Sequence, residues 1–258
     1  LAACAAAGVD EVYAIGGAQA IAALAYGTET IPRVDVVAGP GNIYVTIAKH
    51  EVAMDVGVDG FAGPTEVAIV ADDSAPPEFV AADLVAQAEH DPLATALLIT
   101  PSEPLVAAVG EALEKEVGSS PRREDIETAL HGQGRAVLVE DLDRAMAVAN
   151  AFAPEHLELI TADASDRVTQ VTDAGAVFVG AYSPVALGDY VAGTNHVLPT
   201  AGTARFASPL RVSTFVKSTA VIAFERAGLD PIAPVLVQIA EAEGLEAHAR
   251  ALRIRLGS

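Results

Sequence analysis

The chain has 258 residues, of which 52% are hydrophobic, and its formal net charge is −20. This length allows one large domain or two smaller ones with a real core. Because Asp, Glu, Arg or Gly interrupts every apolar stretch, a membrane span is excluded, and the negative field opposes binding to nucleic acid or anionic membrane. We therefore expect a soluble globular enzyme with neither partner.

Cys4 is the one cysteine, and it lies in an Ala-rich stretch that is typical of a helix. A single thiol forms no internal disulfide and no zinc knuckle, so packing is its expected role. The absence of disulfides favours a reducing, cytoplasmic compartment. The chain begins at Leu1, in mid-pattern, and we expect upstream sequence to be missing.

Short apolar runs rich in β-branched residues alternate with longer amphipathic segments along the chain. Such alternation predicts an α/β fold with parallel sheets, in which ligands bind at the carboxyl ends of the strands. The predicted strands are 12–15, 34–38, 67–71, 96–100, 136–140, 157–161 and 176–179. The predicted helices are 18–26, 43–54, 77–90, 104–117, 142–152 and 165–173, followed by a tail helix over 235–252.

Two glycine-containing turns follow predicted strands and open predicted helices. In Gly-Gly-Ala-Gln (16–19), glycine would let a phosphate approach the backbone, but a tight turn is the better interpretation of this segment alone. Gly-Pro-Gly-Asn (39–42) has the same setting and ends in a polar side chain, which suggests a cofactor loop. A third loop, Ala-Gly-Pro-Thr-Glu (62–66), stands just before a strand.

Gln87 and His90 lie three residues apart near the end of the helix predicted over 77–90. Residues at this spacing share a helix face, so the pair could form half of a metal or substrate site. A solvated helix end is the better interpretation of the pair alone. Glutamine is an uncommon zinc ligand, and the residues by themselves would not select Gln87 as one.

Glu155 and His156 stand side by side just before an apolar strand. A loop at a strand end can bring both side chains to one cleft, where they would supply two acid/base groups. The alternative for an isolated pair is a solvated loop.

Asp189 and His196 lie in a Gly-rich polar loop, and long special loops are often functional. There Asp189 could ligate a metal and His196 could contact a substrate, or the loop could hold only an Asx turn and a surface histidine. Glu243 and His248, on the amphipathic tail helix, would ordinarily be surface residues. Motifs for serine or cysteine nucleophiles are missing from the sequence.

Six motifs, in their order and spacing, resemble the histidinol dehydrogenase family over essentially the whole chain. They are Gly-Gly-Ala-Gln-Ala-Ile-Ala-Ala-Leu (16–24), Gly-Pro-Gly-Asn (39–42), Ala-Gly-Pro-Thr-Glu (62–66), Gln-Ala-Glu-His-Asp (87–91), Ala-Pro-Glu-His-Leu-Glu (153–158) and Gly-Thr-Asn-His-Val-Leu-Pro-Thr (193–200). Together they are highly specific, although none is so alone.

The resemblance implies oxidation of L-histidinol to L-histidine, through bound L-histidinal, in two NAD-dependent steps with one zinc ion per site. It implies that His156 takes the alcohol proton and that Glu155 activates water to attack the aldehyde. The implied zinc ligands, which also meet the substrate, are Gln87, His90, Asp189 and His248. Further implied substrate contacts are Thr65, His196 and Glu243, and the implied NAD contacts are Gln19 and Asn42.

The resemblance also implies two incomplete Rossmann-like domains and a small helical tail. Their expected extents are 1–65 for the NAD-contacting part, 66–209 for the zinc and catalytic part, and 210–258 for the tail. The family's first two-fifths would be missing, and Thr65 stands where the family usually has Ser. The tail would be exchanged in a homodimer, so that Glu243 and His248 complete the neighbour's site.

Three alternatives stay open. One is a relative that oxidises another small alcohol, such as a sulfonated diol, although His196 and Glu243 favour a cationic or imidazole-bearing substrate. Another is a non-catalytic zinc-binding fragment of the enzyme, and a metal hydrolase is a distant third. Mn²⁺ or Co²⁺ could fill the same N/O ligand set.

Overall fold

The computed structural model describes residues 1–257, which fall into two compact units. The first unit is Leu1–Phe215 and the second runs from Val216 onward. Among residues 1–257, no helix is both long enough and apolar enough to cross a bilayer.

The first unit alternates strands and helices, as the sequence predicts. The strands are β1 Val36–Val37, β2 Gly57–Val58, β3 Glu66–Ala71, β4 Thr95–Thr100, β5 Gly134–Leu138, β6 His156–Ile160 and β7 Ala176–Val179. The helices are α1 Ala2–Ala6, α2 Gly17–Tyr26, α3 Ile43–Val52, α4 Pro77–Ala88, α5 Glu103–Ser119, α6 Arg123–Gln133, α7 Leu142–Phe152, α8 Ala164–Arg167 and α9 Val185–Tyr190. Short 3₁₀ segments cover Val168–Gln170, Thr203–Arg205 and Val212–Phe215.

Five strands form one parallel sheet in the order β5-β4-β3-β6-β7. Successive residues of β3 are buried on both faces, which is why this strand reads as a continuous apolar run. On one face, Val67 and Ile69 pack against α4 and α5, and on the other, Ala68 and Val70 pack against α7. The predicted α/β class with parallel sheets is therefore confirmed.

A separate two-stranded parallel sheet pairs β1 with β2. It shares a small core with α2 and α3, built from Ile21, Ala25, Val37, Val52 and Val56. The strand predicted over 12–15 is wrong, because these residues are irregular and their apolar side chains are exposed. An apolar run forms a strand only where another strand is available to pair with it, and in the described chain β1 pairs only with β2.

Two helix predictions in the first unit need correction. The helix predicted over 165–173 is a single turn, α8, followed by a 3₁₀ segment. Helix α6 was missed because its surface is mostly charged. The sequence of α6 nevertheless has a weak amphipathic pattern. Ile126 and Ala129, three residues apart, are buried, and Leu130 belongs to the same apolar stripe.

The second unit contains α10 Arg226–Leu229, α11 Ala233–Ala242 and α12 Glu246–Leu256. The single helix predicted over 235–252 is wrong, because the chain turns at Gly244, where φ is +71°. The amide of Leu245 bonds the carbonyl of Ala240 at 2.7 Å, and that of Gly244 bonds Glu241 at 2.9 Å. This pair of bonds is a Schellman motif, which ends a helix at a left-handed glycine. The division at residues 65 and 209 stays a prediction.

Candidate active site

The predicted catalytic residues lie where β3 and β6 begin. These strands are parallel neighbours with Val67 opposite His156, so the segments that precede them meet at the amino edge of the sheet. Thr65 and Glu155 are the residues just before β3 and β6. The expectation that ligand residues gather at the carboxyl ends is wrong for this cluster. The reason is that α4 returns to the amino edge, where its last turn presents Gln87.

A continuous hydrogen-bond chain joins Gln87, Thr65 and Glu155. The amide Nε2 of Gln87 donates to Thr65 Oγ1 at 2.7 Å, and this hydroxyl donates to Glu155 Oε2 at 2.6 Å. The backbone amide of Glu66 also donates to Oε2, at 3.0 Å. The fold thus brings together three predicted residues that are far apart in sequence. In the described chain Glu155 Oε1 has no such partner and is the oxygen available for chemistry.

His156 is buried beside this carboxylate, with Nδ1 at 3.6 Å from Glu155 Oε2. Nδ1 also lies 2.9 Å from the carbonyl oxygen of Glu66. Because a carbonyl can only accept, this contact places the ring hydrogen on Nδ1 and leaves the lone pair on Nε2. The ring packs 6.0 Å from that of Phe178. The contact with Glu66 therefore orients the imidazole as a base that would act through Nε2.

Glu66 was missed by the sequence reasoning. Besides its two backbone contacts, its Oε1 accepts from the amide of Ala201 at 3.1 Å, while Oε2 is buried without a hydrogen-bond partner. Burial raises the pKa of the Glu66 carboxyl, which favours its protonated form. The available signal was a charged residue that opens an otherwise apolar strand.

Gly175, which stands before β7, was also missed. A Cβ at this position would lie 2.6 Å from the carbonyl oxygen of Glu155, which already accepts from the amide of Ala176 at 2.9 Å. Only glycine allows β7 to approach the catalytic segment so closely.

The predicted metal ligands of the first unit are placed unequally. Gln87 is buried, and with Nε2 bonded to Thr65 its Oε1 is the atom left to act as a ligand. His90 is exposed, because α4 ends at Ala88 rather than at residue 90. Pro92 prevents a longer helix, since it disfavours helical geometry at Asp91, the residue before it.

Asp189 is half-buried on α9, so the polar loop expected there is helical over Val185–Tyr190. His248 is exposed in the first turn of α12 in the second unit. Within residues 1–257, no three His, Cys, Asp or Glu side chains converge as a metal site. Imidazole nitrogens and a carboxylate are ordinary zinc ligands, whereas the amide oxygen of Gln87 would be an uncommon one.

A buried carboxyl pair supports α9. Glu158 Oε1 accepts from the amide of Val185 at 2.9 Å, and Oε2 is buried without a hydrogen-bond partner. Burial, and then the nearby charge of Asp83, raise the pKa of Glu158 to about 9. Burial also raises the pKa of Asp83, to about 6. The raised pKa favours the protonated form of Glu158, and neither residue was singled out from the sequence.

The predicted NAD contacts lie at the starts of two helices that pack on each other. Gln19 is exposed in the first turn of α2, and Asn42 is exposed and caps α3. Asn42 Oδ1 accepts from the amides of Tyr44 and Val45, which leaves Nδ2 available for other contacts. The hydroxyl of Thr46 donates to the Ala62 carbonyl at 2.7 Å and so ties α3 to the segment that leads to Thr65.

The remaining predicted substrate contacts are exposed. His196 follows Asn195, whose Oδ1 accepts from the amide of Val197 at 2.7 Å in an Asx turn. The same loop lines a cleft of about 650 Å³ along β7. Glu243 caps the end of α11 in the second unit and is exposed.

A family model described as histidinol dehydrogenase matches residues 1–256. The chain belongs to the histidinol dehydrogenase family. It is 55% identical over 249 residues to a histidinol dehydrogenase of Synechococcus sp., covering 96% of this chain and 57% of that protein. It is 54% identical over 255 residues to the enzyme of Moorella thermoacetica, covering 99% of this chain and 60% of that protein.

A crystal structure of histidinol dehydrogenase from Elizabethkingia anophelis superposes with a TM-score of 0.91 at 39% identity. The match covers 97% of this chain and 58% of that one. The resemblance found in the sequence motifs is therefore confirmed at the level of the family and the fold. The chain spans about three-fifths of the length of these histidinol dehydrogenases.

Proposed function

We propose that the chain is part of a zinc-dependent oxidoreductase that converts L-histidinol to L-histidine, through L-histidinal, in two NAD-dependent steps. The observation that carries this proposal is the buried network that joins Gln87, Thr65, Glu155, Glu66 and His156. It sets two acid/base groups of different kinds side by side. Oxidation of an alcohol and then of a hydrated aldehyde needs a proton acceptor at each stage.

In the first stage, Nε2 of His156 would accept the proton from the hydroxyl of histidinol while the carbon loses its hydride. Nδ1 is held by the Glu66 carbonyl, so the ring cannot rotate away without losing this contact. The product is an aldehyde, and the proton resides on the imidazole.

In the second stage, Oε1 of Glu155 would accept a proton from water as the water oxygen bonds to the aldehyde carbon. Thr65 and the Glu66 amide hold Oε2, which directs the other oxygen outward. Loss of a second hydride from the hydrated aldehyde yields the carboxylate. Burial of both residues limits access of bulk water during this step.

Gln87, His90, Asp189 and His248 would hold the zinc ion, and Gln19 and Asn42 would contact NAD. When bound, zinc would supply the positive charge that holds the amine and imidazole of histidinol, and NAD would accept hydride. The free Oε1 of Gln87 supports its place in the ligand set, because Thr65 fixes the amide from the other side.

We further propose a homodimer in which the tail is exchanged and Glu243 and His248 complete the neighbour's site. Both side chains are exposed on the second unit, so they are available to a partner. His196 and Glu243 would contact the substrate. We also propose that the protein works in the cytoplasm, where the single thiol of Cys4 would stay reduced.

A second candidate is a non-catalytic zinc-binding fragment. It is favoured by the share of the relatives' length that this chain covers, which is 57% and 60%. Oxidation of another small alcohol is the remaining alternative for the complete enzyme. Substitution of His196 or Glu243 would distinguish it, because these residues would favour a cationic or imidazole-bearing substrate.

Calorimetric titration of L-histidinol tests the proposal. The titration is made into zinc-loaded and then chelated protein, using both this chain and the chain restored to the full length of its relatives. We expect zinc-dependent binding in the complete protein. If the complete protein binds L-histidinol and this 258-residue chain alone does not, the hypothesis that this chain is a non-catalytic fragment would be favoured. An absence of binding in every state would contradict the proposed function.

A further inference from the structure

A buried ion pair lies outside the catalytic cluster. Lys49 on α3 and Asp59 just after β2 form a salt bridge, with side chains only 3% and 4% exposed. Lys115 and Lys217, the other two lysines, are exposed. Because withdrawing two charges from water offsets most of their attraction, a buried pair is poor evidence of a stabilising role. The pair therefore calls for a different explanation.

Both partners of the salt bridge also bind the backbone of Gly39. Lys49 Nζ donates to the Gly39 carbonyl at 2.8 Å, and the Gly39 amide donates to Asp59 Oδ2 at 2.8 Å. Gly39 has φ of +120°, a conformation that side-chain-bearing residues rarely adopt. The ion pair thus fixes both peptide groups of one residue in a backbone shape that only glycine accepts readily.

Gly39 begins the loop that ends at Asn42, between β1 and α3. The carboxyl ends of β1 and β2 share one edge of the small parallel sheet, which is where ligands of such sheets bind. A cavity of about 180 Å³ opens there, lined in part by Gly39, Pro40, Lys49 and Asp59. The pair therefore sets the backbone shape of Gly39, the first residue of the loop that ends at the proposed NAD contact Asn42.

We propose that Lys49 and Asp59 are positioning residues for NAD, which hold Gly39 so that the loop 39–42 presents Asn42 to the cofactor. This inference rests on the proposed function. Neither side chain needs to touch NAD, because the salt bridge and the hydrogen bonds to Gly39 leave them few free donors or acceptors. If the ion pair were only a structural tether between α3 and β2, its loss would change the KM for NAD and the KM for L-histidinol alike.

The test is the double variant K49M/D59L in the complete protein, restored to the length of its relatives. Met and Leu approximate the shapes of Lys and Asp and leave no unpaired charge, so the fold is expected to persist. The matched control is R123M/E127L, which removes the exposed Arg123–Glu127 pair. K49M/D59N is a partial-rescue variant, because its amide oxygen can still accept from Gly39 and no unpaired charge remains.

We expect amide hydrogen exchange in residues 38–42 to accelerate by about tenfold in K49M/D59L, with β3 unchanged, as loss of charge-assisted hydrogen bonds implies. The KM for NAD should rise by about tenfold while the KM for L-histidinol stays within about twofold, since tenfold corresponds to one such bond. K49M/D59N should fall between the wild type and K49M/D59L.

Unchanged exchange in the loop would overturn the proposal, and so would faster exchange with no change in the KM for NAD. Equal losses for both substrates with a lower melting temperature would mark the pair as a structural tether only. If the wild-type protein shows no NAD-dependent activity, the proposed function fails. The exchange result would still decide whether the pair orders the loop.

Discussion

Thr65 donates a hydrogen bond to Oε2 of Glu155 across 2.6 Å, and the two residues are ninety positions apart in sequence. The same hydroxyl accepts from Gln87. One side chain therefore couples the carboxylate proposed to activate water to an amide proposed to bind zinc. The hydroxyl is the part of Thr65 that joins the two residues, and its methyl group makes no hydrogen bond.

Substitution of Thr65 should separate the hydroxyl from the methyl group. T65S should keep kcat/KM for L-histidinol within a few-fold, whereas T65V should lower it by about 10- to 100-fold, because two buried polar partners lose their bond. Steady-state kinetics on the complete enzyme checks this. An equal loss in T65S and T65V would show that shape, not the hydrogen bond, is what matters.

Substitutions of Glu155 and of His156 should slow different stages of the reaction. E155Q should depress oxidation of L-histidinal by about 10²- to 10⁴-fold, the usual contribution of a general base. Supply of L-histidinal directly to the enzyme isolates that stage. H156N should depress oxidation of L-histidinol by a similar factor. If E155Q slowed only the first stage, the assignment of roles would be reversed.

Glu158 should make stability depend on pH. Its pKa is raised from an ordinary value of 4.5 to about 9, so the native state keeps a proton that the unfolded chain releases. The stabilisation that protonated Glu158 provides is complete at pH values below its pKa in the unfolded chain. It is lost as the pH rises toward its pKa in the folded protein. E158Q mimics the protonated carboxyl and should lose less stability than the wild type between about pH 5 and about pH 9.

Thermal unfolding at several pH values measures this difference, with E111Q on the exposed face of α5 as the control. The two curves should diverge most at high pH. Parallel curves for E158Q and the wild type would mean that Glu158 is ionised in the native protein.

Gly175 should not tolerate alanine. Its Cβ would meet the Glu155 carbonyl oxygen at 2.6 Å, and since this neighbour is backbone, the start of β7 must shift. G175A should cost about 1–3 kcal/mol in stability, as overpacked sites do. G110A, in open space on α5, should instead be neutral or stabilising by about 0.5–1 kcal/mol. Urea unfolding compares the two, and an unaffected G175A would refute the close approach.

Much of the fold follows from patterns that act locally. The strand at 176–179 and the helix at 142–152 have the predicted bounds, because a β-branched run and an amphipathic stripe each specify one element. The failures have non-local causes. Residues 12–15 lack a strand partner in the described chain, and the tail helix breaks at a left-handed glycine whose φ no pattern of apolar residues reveals.

The candidate site was likewise predictable where local motifs specify it and unpredictable where it depends on tertiary contacts. Motifs around Thr65, Gln87 and Glu155 point to chemistry, but only the parallel register of β3 and β6 places them together, and at the edge opposite to the one expected. Glu66 escaped notice because it acts mainly through its backbone, and Lys49 because its partner Asp59 is defined by the fold. Such contacts depend on tertiary placement, which neither spacing nor composition encodes.

We propose that Glu155 and His156 are the acid/base residues of a histidinol oxidation in two steps. The most direct measurement is the yield of NADH per L-histidinol consumed by the zinc-loaded complete enzyme, with H156N and E155Q alongside. We expect two NADH per L-histidinol in the wild type, and L-histidinal accumulation in E155Q. No NADH from the wild type, or an undiminished rate in both variants, would contradict it.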